Sequence, residues 1–319
     1  MPKGFADSKE YALRLSAEEI RRYWGKAEHA ARTEGAAWAD CGVNPGARVL
    51  DLGCGPGAIL PEVAARVSPG GLVVGIDQDP DAVATAAALA QEANLVNVSV
   101  RQGSAIHTGL DPDSFDVIMI RNVLVHAGQQ AGKIVGHAAS LLRPGGCLYL
   151  ADIDGTAVRW DAVDSGLVDL YRRFEDFLVA TRGADLSIGP KLGSYLRAAG
   201  LDIFMRQAFY QTVNPVPDGG APWAAREAMV RAGFASADDV GLWEKAISRT
   251  AANPDSVVFV PTFSAAGRRR EHGGSVEGTE RLHERLMPSG SPGSGSCYAR
   301  DGATRGFTDP HRVLQRYRP

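Results

Sequence analysis

The chain has 319 residues, enough for one large domain or one domain with a cap or tail. Apolar residues make up 45%, charged residues 22%, and the net charge is −3, which suits a soluble globular chain and argues against a nucleic-acid backbone as main partner. The four cysteines (Cys41, Cys54, Cys147, Cys297) lack metal-ligand or redox spacing, so the sequence predicts no metal site and a reducing, cytoplasmic setting. There is no apolar secretory core at the N-terminus and no run long enough to span a membrane.

In chain order, Ser16-Ala-Glu-Glu19 reads as a capping box. It opens a long helix that Gly42 and Pro45 end. Val49–Leu52 follows as a short buried strand, and then Gly53-Cys54-Gly55-Pro56-Gly57. Alternating glycines let the backbone turn sharply and approach a ligand. A helical pattern runs on from Ala58 to Val67. Strand, glycine loop and helix make a concavity with free N–H groups, where a carboxylate or phosphate can bind.

Gly53, Gly55 and Ala58 fit a loose G-x-G-x-x-A pattern, so a nicotinamide or flavin cofactor is the first candidate. Two acids point elsewhere. Asp51, at the end of the first strand, suits a cationic amine and would repel a pyrophosphate. Asp77 ends a second strand, Leu72–Asp77, where a carboxylate accepts bonds from both ribose hydroxyls. A ligand with a ribose, an amine and a carboxylate but no phosphate is S-adenosylmethionine.

The α/β alternation continues. Asp79 caps an Ala-rich helix that has Pro80 at its first position and runs to about Ala93. Strands are expected at Val98–Gln102, Phe115–Arg121 and Cys147–Asp152, with a helix near Gln130–Leu142 before the last of these. A helical stretch from 155 to 183 is too long for a simple crossover. A further helix, about 190–199, feeds a strand at Asp202–Tyr210. A second insertion, 214–253, contains an acidic helix start at Ser236-Ala-Asp-Asp239, and the last strand is Ser256–Phe263. Beyond Arg270 the composition turns to Gly, Ser, Pro, Arg and Glu, so 271–319 reads as a disordered tail.

The motifs Arg48-Val-Leu-Asp-Leu-Gly-Cys-Gly-Pro-Gly57, Gly75-Ile-Asp77, Gln102-Gly-Ser-Ala105, Ser114-Phe-Asp-Val117 and Leu142-Arg-Pro-Gly-Gly146 resemble those of class I S-adenosylmethionine-dependent methyltransferases of the small-molecule type. The resemblance covers roughly 11–268. It implies an α/β fold: a doubly wound, seven-stranded, mostly parallel sheet (Rossmann-like) with an antiparallel last strand. An N-terminal lid helix (1–45) would precede a cofactor-binding domain (46–270). That domain would carry helical cap insertions at about 155–200 and 214–253.

The implied activity is methyl transfer to an O, N or C atom of a small aromatic or apolar metabolite, of the secondary-metabolite or quinone kind. The cofactor would lie against Asp51, Gly53, Cys54, Gly55, Gly57, Asp77, Gln78, Ser104, Ala105, Arg121 and Asn122. Ser104 stands where the family has an acid for the adenine amino group. His126 titrates near neutrality when unperturbed and is the candidate base, with Asp152 beside it. Tyr11, Trp160 and Tyr171 are the candidate substrate contacts. The implied partner is a small-molecule acceptor, with no nucleic acid and no membrane, and homodimerisation is left open. Two other readings stand beside this one: a protein of the same fold that binds S-adenosylmethionine to steer cyclisation or decarboxylation, and a nicotinamide-dependent reductase.

Overall fold

The computed structural model describes residues 17–213 and 219–271. Tyr11, the Ser16 cap and 272–319 lie outside the described residues. Five parallel strands alternate with helices: β1 (Arg48–Leu52), β2 (Leu72–Asp77), β3 (Val98–Gln102), β4 (Phe115–Arg121) and β5 (Leu142–Ile153). They are followed by β6 (Arg159–Asp161), β7 (Asp202–Val213) and β8 (Val257–Arg268). The spatial order is β3-β2-β1-β4-β5-β8, with β7 on the far edge of β8, and β8 runs antiparallel to β5 and β7.

The sheet has eight strands rather than the seven expected. The extra one is β6, which lies in the stretch read as helical. The reason lies in the hydrogen-bond ladder. β5 pairs with β8 only as far as Ile153 opposite Thr262, which leaves the first half of that edge of β8 open. Arg159–Asp161 fills it opposite Val257–Phe259. Backbone groups at an open sheet edge need partners, and this short segment supplies them.

The strands alternate strictly between two faces. Leu50, Leu52, Ile118, Ile120, Leu148 and Leu150 enter one core layer. They pack against α5 (Ala131–Leu141) and α7 (Leu192–Ala198). Val49, Val117, Met119, Tyr149 and Ala151 enter the other. That layer is covered by α1 (Ala17–Thr33), α2 (Gly35–Cys41) and α3 (Leu60–Val67). Between β2 and β3 runs α4 (Pro80–Glu92), which Asp79 caps by accepting the Asp81 N–H at 2.9 Å. A third apolar cluster joins α6 (Ser165–Arg182) to α8 (Gly220–Ala224), α9 (Arg226–Arg231) and α10 (Ala237–Ala252). The predicted start of α10 is a capping box between Ser236 and Asp239.

The N-terminal helix is broken at Glu34-Gly35 rather than continuous. The Arg66 guanidinium fills the space a Cβ on Gly35 would need, and Nη1 donates to the Gly35 carbonyl at 3.1 Å. The break turns Glu34 inward. Arg121 Nε and Nη2 donate to its two carboxylate oxygens at 2.9 and 2.7 Å, and the Tyr149 hydroxyl adds a bond of 2.9 Å. The Trp38 ring, fully buried, lies 5.3 Å from the Arg66 guanidinium carbon and 5.7 Å from that of Arg121.

Removing one partner of a buried, bidentate ion pair leaves the other charge uncompensated, at a cost of roughly 3–5 kcal/mol. Glu34→Gln is therefore expected to lower the free energy of unfolding in urea by about that amount. A loss of under ~1 kcal/mol would show that the pair contributes little.

Candidate functional site at the carboxyl ends of the strands

The glycine loop hangs on the end of β2: the Gly53 and Cys54 N–H groups donate to the Ile76 carbonyl at 2.7 and 3.0 Å. Gly53 has φ +88°, and a Cβ there would stand 2.3 Å from Val123 Cγ2. Gly57 has φ +80°, and a Cβ there would meet the Ala86 Cβ at 2.8 Å. Both positions need left-handed backbone and close approach, which only glycine allows. The helix after the loop begins at Leu60, two residues later than expected, because the glycine-rich turn continues through Ile59.

Asp77 stands beside this loop. One of its carboxylate oxygens accepts the Gly55 N–H at 2.8 Å and the other the Asp79 N–H at 3.0 Å. Each oxygen keeps a lone pair for a ribose hydroxyl. Asp51 is 3% exposed and accepts no hydrogen bond among the described residues. Burial pushes its pKa up to about 7; Arg121 opposes the rise and Asp77 adds to it. Cys54 is buried, and its thiol is pushed far up by burial, so it is no nucleophile. Tyr23 of α1 lies over the loop, with its ring 3.5 Å from the Cβ position of Gly55.

At the other end of the cleft, the Gln78 carbonyl accepts from Gln102 Nε2 at 3.1 Å. Ser104 is exposed, and its Oγ takes a long bond of 3.4 Å from the Ile106 N–H. Ala105 packs half-buried on the core. The structure thus brings together Asp51, Gly53, Gly55, Gly57, Asp77, Gln78, Ser104 and Ala105 along the ends of β1, β2 and β3. An unpartnered buried carboxylate, a glycine cradle and a second carboxylate fit the amine, the backbone approach and the ribose of S-adenosylmethionine.

Arg121 and Asn122 end β4. The Arg121 guanidinium is committed to Glu34, not to a ligand. Burial disfavours its charge, but Glu34 holds it protonated. Asn122 adopts φ +54° and is exposed, with its N–H bonded to the Ala151 carbonyl at 2.9 Å.

His126 follows in a 3₁₀ turn, Leu124–His126. Its ring is accessible, yet it sits in a crowded cleft. Desolvation, then Arg182, then Lys26 push its pKa down to about 4. The expectation of a histidine titrating near neutrality is corrected here: desolvation by its neighbours and two cations favour the neutral imidazole.

Asp152 is buried and holds the same turn, with Oδ2 accepting the Val125 N–H at 3.1 Å and Oδ1 the Ile153 N–H at 3.0 Å. Burial raises its pKa to about 6, against the pull of these bonds. Its position is that of a loop clamp rather than a group aimed at a substrate. Trp160 lies on β6, not on a cap helix. Its ring meets Tyr171 edge-on at 4.9 Å. Tyr171 and Phe174 pack on the cap cluster.

Sequence reasoning missed Tyr23, Lys26, Glu34 and Arg182. Tyr23 was visible as an aromatic on the lid helix. The other three carry no motif, and only the fold brings them to the cleft.

A carboxyl whose folded pKa lies above its unfolded value binds more protons when folded. Asp51 thus lowers stability progressively as pH rises from about 4 through 7, by up to ~4 kcal/mol. Asp51→Asn is expected to be more stable than the wild type at pH 8 and nearly equal at pH 4. Urea unfolding at both values checks this, and a pH-independent difference would refute the assignment.

Residues 43–173 match the family described as methyltransferase domain. Nocamycin O-methyltransferase of Saccharothrix syringae is 41% identical over 106 residues, which covers 33% of this chain and 38% of that protein. Ubiquinone biosynthesis O-methyltransferase of Xanthomonas campestris pv. campestris is 39% identical over 113 residues, covering 35% of this chain and 45% of that protein. The chain thus spans less than half the length of these curated relatives. The solved structure of the YcgJ protein from Bacillus subtilis shares the fold, with a TM-score of 0.51 at 22% identity over 74% of this chain and 97% of that one. The glycine loop, Asp51 and Asp77 all lie inside the 43–173 segment that is similar to a methyltransferase domain.

Proposed function

We propose that the protein transfers a methyl group from S-adenosylmethionine to an oxygen atom of a small molecule. The observation that carries this reading is the pair of carboxylates, Asp51 and Asp77, placed on either side of the glycine loop at the carboxyl ends of β1 and β2. The choice of oxygen rests on the two relatives named as O-methyltransferases. Nitrogen or carbon acceptors remain within the chemistry of such a site.

When bound, S-adenosylmethionine supplies an electrophilic methyl group. In this reading Asp51 holds the cationic amine and Asp77 the ribose hydroxyls, and the position of Tyr23 over the loop supports it as a cover. Holding the acceptor atom in line contributes roughly 7–11 kcal/mol, so the chain needs little further chemistry. In this reading the apolar cluster of α6 and α10 serves as a cap that limits water at the acceptor. The Trp160–Tyr171 pair supports an aromatic part in the acceptor, and in this reading His126, in the turn after β4, takes its proton.

The protein is expected to bind S-adenosylhomocysteine and not NADH. Asp77→Ala should weaken that binding by roughly 1.5–3 kcal/mol in calorimetry, since two charge-assisted bonds are lost. Unchanged affinity would remove the ribose assignment.

His126→Gln should lower turnover roughly 10²–10⁴-fold with cofactor affinity kept within a few-fold. Because the ring titrates at about 4, the rising limb of kcat/KM with pH should lie near there and vanish in the variant. A variant with near wild-type turnover would leave positioning as the source of rate.

A further inference from the structure

The loop that joins β3 to β4, residues 103–114, carries Ser104 and Ala105. Its first half is tied down on both sides. At the start, the Gly103 N–H donates to the Asp77 carbonyl at 2.8 Å. The His107 N–H then donates to the Ser104 carbonyl at 3.0 Å, which closes a small bridged turn around Ala105 and Ile106. At the far side, the Thr108 N–H donates to His137 Nε2 at 3.1 Å. The Thr108 hydroxyl lies 2.9 Å from the same nitrogen and accepts the Leu110 N–H at 3.3 Å.

These bonds place the proton on the imidazole. Nε2 has one lone pair at most, and a backbone N–H can only donate to it. The ring is therefore neutral, with its proton on Nδ1, and the Thr108 hydroxyl donates to Nε2 as well.

His137 stands on a fixed base. It projects from α5, whose Ile134, Val135, Ala138 and Leu141 are buried in the core layer beneath. Ala105 and Leu110, on either side of Thr108, rest half-buried on that same layer. Among the described residues, no other side chain from outside the loop bonds to residues 104–110.

Protonation would reverse the contact. An imidazolium carries N–H at both nitrogens, so Nε2–H would face the Thr108 N–H, donor against donor. Burial, and then His107 with its ring centroid 6.3 Å away, push His137 below its ordinary pKa. The other ionisable groups on the loop and on α5 are Asp111, Asp113, which pairs with Arg269, and Lys133, one turn back from His137.

We infer that His137 is a positioning residue of the cofactor site: its neutral Nε2 holds the loop after β3 in the shape that reads the adenine of S-adenosylmethionine. This deepens the proposed function and rests on it. His137 acts on the ligand through Thr108 rather than by contact. Closure of the loop is complete where the ring is neutral and is lost as pH falls through its titration.

The test uses the full-length protein with S-adenosylhomocysteine and S-inosylhomocysteine, which differ only in the purine base. Both carry the same amine and carboxylate, so titration of Asp51 cancels in the ratio of their affinities. Calorimetry at about pH 7.5 is expected to show the adenine form preferred about two- to tenfold, the worth of one hydrogen bond. At about pH 5 the preference should shrink toward equality. His137→Leu should lack it at both pH values. His137→Gln, whose amide oxygen accepts the Thr108 N–H without titrating, should keep it at both. Deuterium exchange at the Thr108 amide should be slow in the wild type and in His137→Gln, and fast in His137→Leu.

A preference that persists in His137→Leu, or that falls with pH as much in His137→Gln as in the wild type, overturns the inference. Should His137→Leu fail to fold, the pH dependence of His137→Gln against the wild type carries the test. If neither nucleoside binds, the methyl-transfer reading fails and amide exchange decides the clamp: lost protection in His137→Leu upholds it, and equal protection overturns it.

Discussion

The bidentate contact between Glu34 and Arg121 ties together the parts of this molecule that the site depends on. It joins the break between α1 and α2 to the carboxyl end of β4, across 87 positions of sequence. Both side chains are nearly buried, and Tyr149 from β5 closes the cluster. Fixing that point fixes the direction in which α1 leaves the sheet. Tyr23 then lies over the glycine loop. It also sets the electrostatics: Arg121 is the cation that moderates the buried Asp51 carboxyl.

A buried ion pair is weak evidence for stability, since desolvating two charges offsets much of their attraction. Its effect here is better described as orientation. Both guanidinium donors match both carboxylate oxygens, and Trp38 lies against the guanidinium carbon. Such a fork has essentially one geometry, so the lid helix has one docking angle. The glycine loop has a comparable constraint from the other side. Its N–H groups are spent on the Ile76 carbonyl, and left-handed φ at Gly53 and Gly57 brings backbone against Val123 and Ala86.

The turn after β4 is assembled differently. The turn bearing His126 is held from below by Asp152 and from the side by the segment after α6. Both contacts hold the turn through the Val125 backbone. Desolvation and like charge act in the same direction on Lys26 and His126.

Much of this was determined by local sequence. Strands β1 to β4 fall at the expected positions because short apolar runs between helix caps and glycine turns leave little alternative. The Asp79 and Ser236 caps form as read, since a capping side chain needs only its own next turn. The glycine loop, Asp51 and Asp77 were legible for the same reason: each is defined by its place at a strand end. What only the tertiary structure decided involves partners distant in sequence. β6 exists because β5 stops short along β8, which no pattern within 155–183 reveals. The helix break at Gly35 depends on Arg66, and the low pKa of His126 depends on burial and on cations from two other elements. Arg121 reads as a ligand contact in sequence and becomes a structural cation in space, because Glu34 reaches it first. Desolvation and charge pairing are properties of the assembled cleft, and periodicity along a single chain does not encode them.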